Sequence, residues 1–114
     1  MSKALVSLIA LIALSLSLSA PARADAIDGN WCYKDGRRMS IDGPRIVTPG
    51  GTSTIGEYDR HGFIYVVPEG DPHAGLRIIM LLLSENIIRM FIPHKGPGLK
   101  PATVEEWQRC DLTM

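Results

Sequence analysis

The sequence is short of the residues from which active sites and metal centres are usually built. Its 114 residues include two cysteines, Cys32 and Cys110, and three histidines. Neither cysteine has a second cysteine or a histidine at the short spacing of a zinc site or a catalytic thiol. The histidines are not spaced as zinc ligands either. These absences argue against a structural zinc site and against a cysteine nucleophile.

Two further catalytic motifs are missing as well. No serine stands in a Gly-x-Ser-x-Gly segment, which in many hydrolases holds the nucleophile on a strained turn. The glycine-rich segments 49–51 and 96–98 lack the lysine and the following helix of a phosphate-binding loop, so we interpret them as turns. We therefore expect no catalytic residue and no cofactor, and we expect that the protein is not an enzyme.

The longest apolar run stands at the beginning of the chain. Lys3 precedes an apolar segment interspersed with serines over 4–18, and small residues follow at the positions that a signal peptidase reads. This layout predicts a signal peptide over 1–24, cleaved before Asp25, and a periplasmic or secreted protein. A retained membrane anchor is the alternative, but the run is shorter than the ~20 residues of a spanning helix. No cysteine at the cleavage point and no Arg-Arg pair before the run favour general export without a lipid anchor.

Removal of residues 1–24 leaves a small and slightly acidic chain. It keeps 90 of the 114 residues and loses Lys3 and Arg23, so that 10 basic side chains face 12 acidic ones, a net charge of −2. This balance argues against a nucleic acid or an anionic membrane surface as the partner. Without repeats or a long linker, residues 25–114 are predicted to form one β domain. A domain of this size buries only about 60–65% of its unfolded surface, which makes a covalent cross-link useful.

The two cysteines suit such a cross-link. They lie near the two ends of the chain that remains after cleavage, and exported proteins form disulfides. A bridge would close a loop over most of this chain, for which the chain-entropy model gives about 4.5 kcal/mol of stabilisation. We predict that Cys32 and Cys110 are joined. We also expect Trp31 and Trp107 to pack around the bridge and plug one end of the core, with stacking on a ligand as the alternative.

Short strands separated by turn residues fill the rest of the sequence. Asp35-Gly36 predicts a hairpin with a two-residue turn, because this dipeptide tolerates the positive φ angles that such a turn requires. Gly56 interrupts a predicted strand and indicates a bulge or a close approach of backbone. The predicted strands are 31–34, 37–41, 45–48, 52–59, 63–67, 76–83 and 87–92.

Two segments leave alternatives open. The runs 76–83 and 87–92 predict either the most buried pair of strands or a contact of one strand with another subunit, and a helix is a competing local interpretation. Residues 103–110 form either a helical turn capped by Thr103 or a closing strand. Strands at intervals of roughly ten residues predict an all-β fold, a small antiparallel β-barrel or sandwich of about 6–8 strands with its ends tied by the disulfide.

The sequence around both cysteines resembles small uncharacterised proteins that Gram-negative bacteria export to the periplasm. The likeness rests on Asp-Gly-Asn-Trp-Cys over 28–32 and Trp-Gln-Arg-Cys over 107–110. It implies export and carries no activity. More distantly, Gly-Asn-Trp over 29–31 is similar to the Gly-x-Trp opening of lipocalin-like barrels, including bacterial periplasmic protease inhibitors. That resemblance implies a barrel that binds a ligand or a protein.

Arginines around the first hairpin are candidate binding residues. Arg37, Arg38 and Arg45 lie close in sequence and are suited to receive a carboxylate or an acidic partner surface. Asp35 and Asp42 lie equally close, so a mixed and solvated face is the alternative.

The loops contain further candidates. Asp71, His73 and His94 are candidate binding residues because binding residues concentrate on loops. If two loops share one end of a barrel, Asp59 and His61 would meet Asp71 and His73 and form a weak site for a divalent metal. Solvated loop residues are the competing interpretation.

These observations favour a non-enzymatic periplasmic binding or inhibitor module with loops 48–54, 69–75 and 93–101 as its binding surface. The partner would be a periplasmic protein, and the cleaved chain would carry no membrane anchor. A carrier of a small apolar ligand is the first alternative, suggested by the Ile, Leu, Met and Val content of 76–92. A small metal-dependent hydrolase that uses His61 and His73 is the second.

Overall fold

Antiparallel strands account for about half of residues 26–112, the part of the chain that the computed structural model describes. They are β1 (Gly29–Cys32), β2 (Arg38–Asp42), β3 (Arg45–Val47), β4 (Ser53–Ile55), β5 (Glu57–Asp59), β6 (Gly62–Val66), β7 (Arg77–Ser84), β8 (Ile87–Ile92) and β9 (Thr103–Arg109). One 3₁₀ turn follows over Cys110–Leu112. The all-β prediction is confirmed. The predicted signal peptide and its cleavage point lie outside the described residues.

The strands form one sheet that nearly closes into a barrel. Their order is β4-β3-β2-β1-β9-β8-β7-β6-β5, so every strand except the pair at the two edges lies between two neighbours. The first and last strands pair where Trp31 lies opposite Arg109 and Cys32 opposite Gln108. The edge strands β4 and β5 are consecutive in the chain, and only Gly56 separates them. At this glycine the chain stops pairing with β3 and starts pairing with β6. The two edges of the sheet are therefore brought next to each other.

Gly56 is a point of close backbone approach, as the sequence predicted. A Cβ atom there would lie 2.5 Å from the carbonyl oxygen of Ile64 and 2.5 Å from Cε1 of Phe63. The amide of Gly56 donates a hydrogen bond of 2.8 Å to the carbonyl of Pro44. Because the strand predicted over 52–59 changes partner at this residue, it is divided into β4 and β5. This division raises the strand count to nine, slightly above the 6–8 predicted.

Gly56→Ala is expected to destabilise the fold by about 1–3 kcal/mol, because the added methyl group must displace backbone or an aromatic ring. Thermal and urea denaturation of the variant measure the loss. Gly62→Ala is the matched control, since its added Cβ would meet its nearest atom, the carbonyl oxygen of Met80, only at 3.3 Å. Equal losses in the two variants would contradict the role of Gly56 in barrel closure.

The first hairpin is confirmed, but its turn is longer than predicted. The amide of Gly36 donates to the carbonyl of Tyr33, and the amide of Tyr33 donates to the carbonyl of Arg37. Three residues, 34–36, therefore connect the strands, with Gly36 at φ 97°. This is the three-residue hairpin loop in which a type I turn is followed by a left-handed glycine, and it places Tyr33 and Arg37 beside each other.

The interior of the barrel is filled by side chains that alternate with outward residues along each strand. Trp31 and Trp107 are fully buried on the inner face. Cys32 and Cys110 form the predicted disulfide, with Cα atoms 4.9 Å apart. Cys32 follows the inward Trp31 on β1 and so lies on the outer face of the wall, where it meets Cys110 of the 3₁₀ turn after β9. The prediction that the indoles pack around the bridge is therefore wrong, because neighbouring strand residues face opposite sides.

The apolar run of β7 is buried on one face only. Ile78 and Met80 point inward and are buried, whereas Ile79, Leu81 and Leu83 are exposed. The prediction that this strand belongs to the most buried pair is therefore wrong for its outer face in the single chain, because a barrel wall is one layer with solvent outside. The alternative contact of this face with another subunit stays a prediction. The helix interpretation of the run is excluded by its antiparallel pairing with β6 and β8.

Residues Thr103–Arg109 form the closing strand rather than a helical turn. This strand lies between β1 and β8, so its backbone groups find partners on both sides. A helical turn would have left the edges of both neighbours unpaired. Between residues 26 and 112 no helix is long and apolar enough to cross a membrane.

Candidate functional site

The turns and loops lie at the two ends of the barrel. The connections at one end are short and surround a buried segment, whereas those at the other end are longer. At the closed end, short turns over 43–44, 60–61 and 85–86 surround the segment 26–28. Ile27 is fully buried there, and its amide donates to the carbonyl of Arg60 at 2.8 Å. At the open end lie the first hairpin turn and the longer connections 48–52, 67–76 and 93–102. The three loops predicted to bind a partner therefore share one end, because alternate connections of an antiparallel meander lie on the same side.

Arg109 holds the segment 26–28 in the closed end. Its guanidinium donates to the carbonyls of Asp28 at 2.6 Å, Ala26 at 2.7 Å and Glu85 at 2.6 Å. It also lies 4.3 Å from the ring centroid of Trp31. Partial burial lowers the pKa of Arg109, although nearby carboxylates oppose this shift. These contacts engage the guanidinium of Arg109 within the chain.

A cavity of about 110 Å³ lies at the open end. Its walls are mainly apolar and come from inward residues of β6, β7 and β8 and from the loop after β6: Val67, Ile78, Met90 and Ile92. Its polar groups come from β6, the first hairpin and the loop 67–76: Tyr65, Arg37, Asp71 and His73. His73 has φ 70°, an uncommon backbone conformation for a residue other than glycine. This cavity combines an apolar lining with convergent polar groups, which is the usual composition of a binding site.

Tyr65 contributes a hydroxyl group without a protein partner. The residue is only 4% exposed, yet its hydroxyl makes no hydrogen bond to any other residue between 26 and 112 and keeps access to the cavity. Burial, and to a smaller extent the negative charges of Asp71 and Glu105, raise the pKa of Tyr65 to about 12. The hydroxyl is therefore protonated at neutral pH and is available both as a donor and as an acceptor.

Asp71 joins two loops at the rim of the cavity. Its carboxylate accepts hydrogen bonds from the hydroxyl groups of Thr48 at 2.5 Å and Thr52 at 2.6 Å. These bonds, first that from Thr48, lower the pKa of Asp71. Gly50 allows the approach, because a Cβ atom at this position would lie 2.5 Å from the carboxyl carbon of Asp71. We call Asp71, Thr48 and Thr52 the rim clamp.

The rim clamp is expected to weaken in acid. The pKa of Asp71 is lower in the folded chain than the ordinary value of 3.8. Its contribution to stability is therefore complete above the unfolded pKa and is lost as the pH falls through the folded pKa. Amide hydrogen exchange over 50–52 should accelerate below pH 3.8 in the wild type but stay nearly independent of pH, after correction for intrinsic rates, in Asp71→Asn. Glu69→Gln, a charge change on the same loop, should behave like the wild type, and a similar response of both variants would contradict this role.

Arg37 is neutralised by the chain's own carboxylates. It donates to Glu105 at 2.7 and 3.3 Å and to Asp35 at 2.8 Å. Its guanidinium also lies 4.6 Å from the ring centroid of Tyr33 and 5.3 Å from that of Trp107. The hydrogen bonds to Glu105 raise the pKa of Arg37. The expected carboxylate is thus present, but it belongs to β9 rather than to a partner.

The structure does not bring the three candidate arginines together. Arg37 and Arg38 lie near the open end, whereas Arg45 begins β3 at the other end of β2. Arg38 and Arg45 are exposed on the barrel wall, and neither lines the cavity. His94 is exposed in the loop 93–102 at the open end and is also absent from the cavity lining.

The metal hypothesis needed residues that the fold separates. His61 precedes β6 at the closed end, and His73 follows the same strand at the open end. The amide of His61 donates to Asp59 at 2.9 Å, so this pair stays together but far from Asp71. Within the described part of the chain, no group of three or more His, Cys, Asp and Glu side chains is placed to hold a metal ion.

The sequence did not single out Tyr65 as a site residue, and it indicated Thr48 and Gly50 only as members of the loop 48–54. Tyr65 was assigned only to a strand, although strand alternation places it on the same face as Phe63. A tyrosine at the inward position nearest the end of a barrel strand is a usable signal, because its ring joins the core while its hydroxyl reaches the mouth. Thr48 and Gly50 carried no such signal, since their role depends on a loop 19–23 residues further along the chain.

No family model, curated protein or solved structure matches this chain. The resemblances to exported periplasmic proteins and to lipocalin-like barrels therefore stay predictions.

Proposed function

We propose that this protein is a non-enzymatic binding or inhibitor module of the periplasm that holds a partner protein at the open end of its barrel. The observation that carries this proposal is the contrast between the two ends. One end is filled by the buried segment 26–28 under Arg109, whereas the other combines three longer loops with a polar-rimmed cavity. A rigid wall that presents loops at one end is a common arrangement for binding.

The loop 93–102 adds an apolar group to this end. Leu99 is fully exposed, at 106% of its reference area, and stands next to Lys100 in a loop that also contains Lys95. Single exposed leucines are ordinary on protein surfaces. Here the side chain lies on the same end as the cavity, and covering it with a partner would contribute about 1.5–3 kcal/mol. Leu99 therefore supports recognition of a protein surface.

The geometry gives less support to the carrier alternative. The inward side chains of the strands, including both tryptophans, fill the barrel. The cavity of about 110 Å³ corresponds to roughly four water molecules at ~30 Å³ each and is too small for a lipid chain. A small barrel filled by its own side chains is the expected result for this strand number.

Site-specific photo-crosslinking in the periplasm tests the proposal. A benzophenone amino acid at Leu99 or Glu69 samples the open end, and the same amino acid at Asn86 or His61 samples the closed end. We expect one adduct of constant mass from the open-end positions and none from the closed-end positions. Equal adducts from both ends, or no adduct at the open end, would overturn the proposal.

Binding measurements on the purified partner then test the role of Leu99. Leu99→Asp is expected to weaken binding about tenfold or more, because it places a charge where an apolar group is covered. Val104→Asp is the matched control, since Val104 is an exposed apolar residue on the barrel wall. The control should change the affinity less than twofold. An equal loss in both variants would contradict binding through the open end.

A further inference from the structure

We infer that the cavity at the open end binds an alkylammonium group, and that its occupant is a lysine side chain of the partner protein. This inference rests on the proposed function, because it names the chemistry of the group that the binding end receives. The structure supports it through the size and lining of the cavity, through the free hydroxyl of Tyr65 and through the charges around the rim.

The size and the walls fit a short methylene chain. An engineered apolar cavity of ~150 Å³ binds benzene, and the cavity of about 110 Å³ here suits a somewhat smaller group. Ile78, Met90 and Ile92 line its inner part. Methylene groups of a lysine side chain would remove this surface from water, whereas a bare metal ion would gain nothing from apolar walls.

Tyr65 supplies the polar contact inside the cavity. Its side chain is 96% buried, since only 4% is exposed, and its hydroxyl faces the cavity without a partner among residues 26–112. A hydroxyl that opens onto an apolar cavity without a protein partner favours a ligand that completes its hydrogen bonding. The phenolic oxygen can accept a hydrogen bond from an ammonium group.

The charges around the cavity favour a cation over an anion. Burial is the main cause of the raised pKa of Tyr65, and the negative charges of Asp71 and Glu105 add to it in the same direction. Arg37 is the one guanidinium in the cavity lining, and it is paired with Glu105 and Asp35. Asp71 is the one carboxylate in that lining, and Glu105 and Asp35 offset the charge of Arg37. An anionic ligand would meet net repulsion at this rim.

An ammonium group fits the rim better than a guanidinium group. Both oxygens of Asp71 already accept a hydrogen bond from a threonine hydroxyl. Each oxygen keeps a second lone pair, which suffices for the point contacts of an ammonium group. A guanidinium group is recognised best by two parallel hydrogen bonds to an unoccupied carboxylate. The rim clamp therefore selects lysine over arginine.

Chemical-shift titration at pH 7 tests this chemistry on the purified protein. The probes are n-butylammonium, butyrate and 1-butanol, and the reporters are the Met90 methyl group and the amides of 50–52. We expect saturable shifts with n-butylammonium and at least tenfold weaker binding of butyrate and 1-butanol. N-acetyl-lysine methylamide should bind at least as tightly as n-butylammonium. Preference for butyrate or equal binding of all probes would overturn the cation assignment, and exclusion of the lysine derivative would overturn the lysine assignment.

Two variants assign the binding to the cavity. Tyr65→Phe keeps the ring in the core and should weaken n-butylammonium binding about 2- to 10-fold through the loss of one hydrogen bond. Asp71→Asn should weaken it by a similar or larger factor. Glu57→Gln removes the same charge from an exposed position on β5 and should change the affinity less than twofold. Unchanged affinity in both cavity variants would overturn the inference.

The two proposals fail in different experiments. If no probe binds but the open-end crosslinks form, the alkylammonium assignment is wrong and the binding module stands. If n-butylammonium binds in the cavity but no protein is crosslinked at the open end, the partner is not a protein and the lysine assignment falls with the proposed function. If both results are positive, Tyr65→Phe should also weaken binding of the purified partner.

Discussion

Removal of the Cys32–Cys110 bridge is expected to lower the free energy of unfolding by about 3–4.5 kcal/mol. The two cysteines are 78 residues apart in the sequence, so the bridge restricts a large part of the unfolded chain. In the folded chain it joins β1 to the end of β9, at the seam between the first and last strands of the chain in the middle of the sheet. Urea denaturation of the double variant Cys32→Ser/Cys110→Ser measures this loss.

The reduced wild-type protein is the control for this prediction. Both states lack the covalent link, so their free energies of unfolding should agree within about 1 kcal/mol if the serine side chains themselves matter little. Hydrogen exchange should also show that amides of β1 and β9 lose protection first. A loss below 1 kcal/mol, or a uniform loss of protection, would contradict the role of the bridge at the seam.

Replacement of Trp31 by alanine is expected to cost about 3–5 kcal/mol, because it empties a large volume in the core. The side chain of Trp31 is fully buried, and its indole N–H donates to the carbonyl of Ile27 at 2.8 Å. The guanidinium of Arg109 lies over its ring. The change should therefore reduce global stability and also release the segment 26–28 from the closed end.

Two further variants separate these effects. Trp31→Phe keeps much of the apolar volume and loses the hydrogen bond, so we expect a cost of about 1–2 kcal/mol. Trp107→Ala should destabilise the core about as much as Trp31→Ala. Only the Trp31 variants should expose the amide of Ile27, which is bonded to Arg60, to fast exchange. Fast exchange at Ile27 in Trp107→Ala to the same degree would show that the segment depends on overall stability alone.

Features that depend on a few neighbouring residues could be predicted. The hairpin at Gly36 and the close approach at Gly56 follow from the conformational freedom and small size of glycine. The turn of the hairpin was one residue longer than predicted, because the choice of turn type depends on how both strands pair. The Cys32–Cys110 pair could be predicted because only one pairing of two cysteines exists within a chain.

The candidate site was only partly predictable. Arg37, Asp71 and His73 were named from their loops, and the structure brings them to one cavity. The proposed contact of His61 with His73 was wrong, because these residues lie at opposite ends of β6. The sequence shows that both belong to loops but not at which end of the barrel each loop lies. Tyr65 was not named as a site residue. Its strand propensity predicts that it belongs to a strand, but it does not tell which end of the barrel its hydroxyl reaches.

The sequence by itself determined the all-β character, the turn positions and the covalent link, since each depends on local residue chemistry or on simple counting. The tertiary structure decided which connections share an end and which face of β7 meets water. It also decided that Arg37 is bound to Glu105, 68 residues away. Such outcomes depend on strand register and barrel closure, which arise from many distant pairings at once. The open end is therefore a property of the closed barrel and not of any single segment.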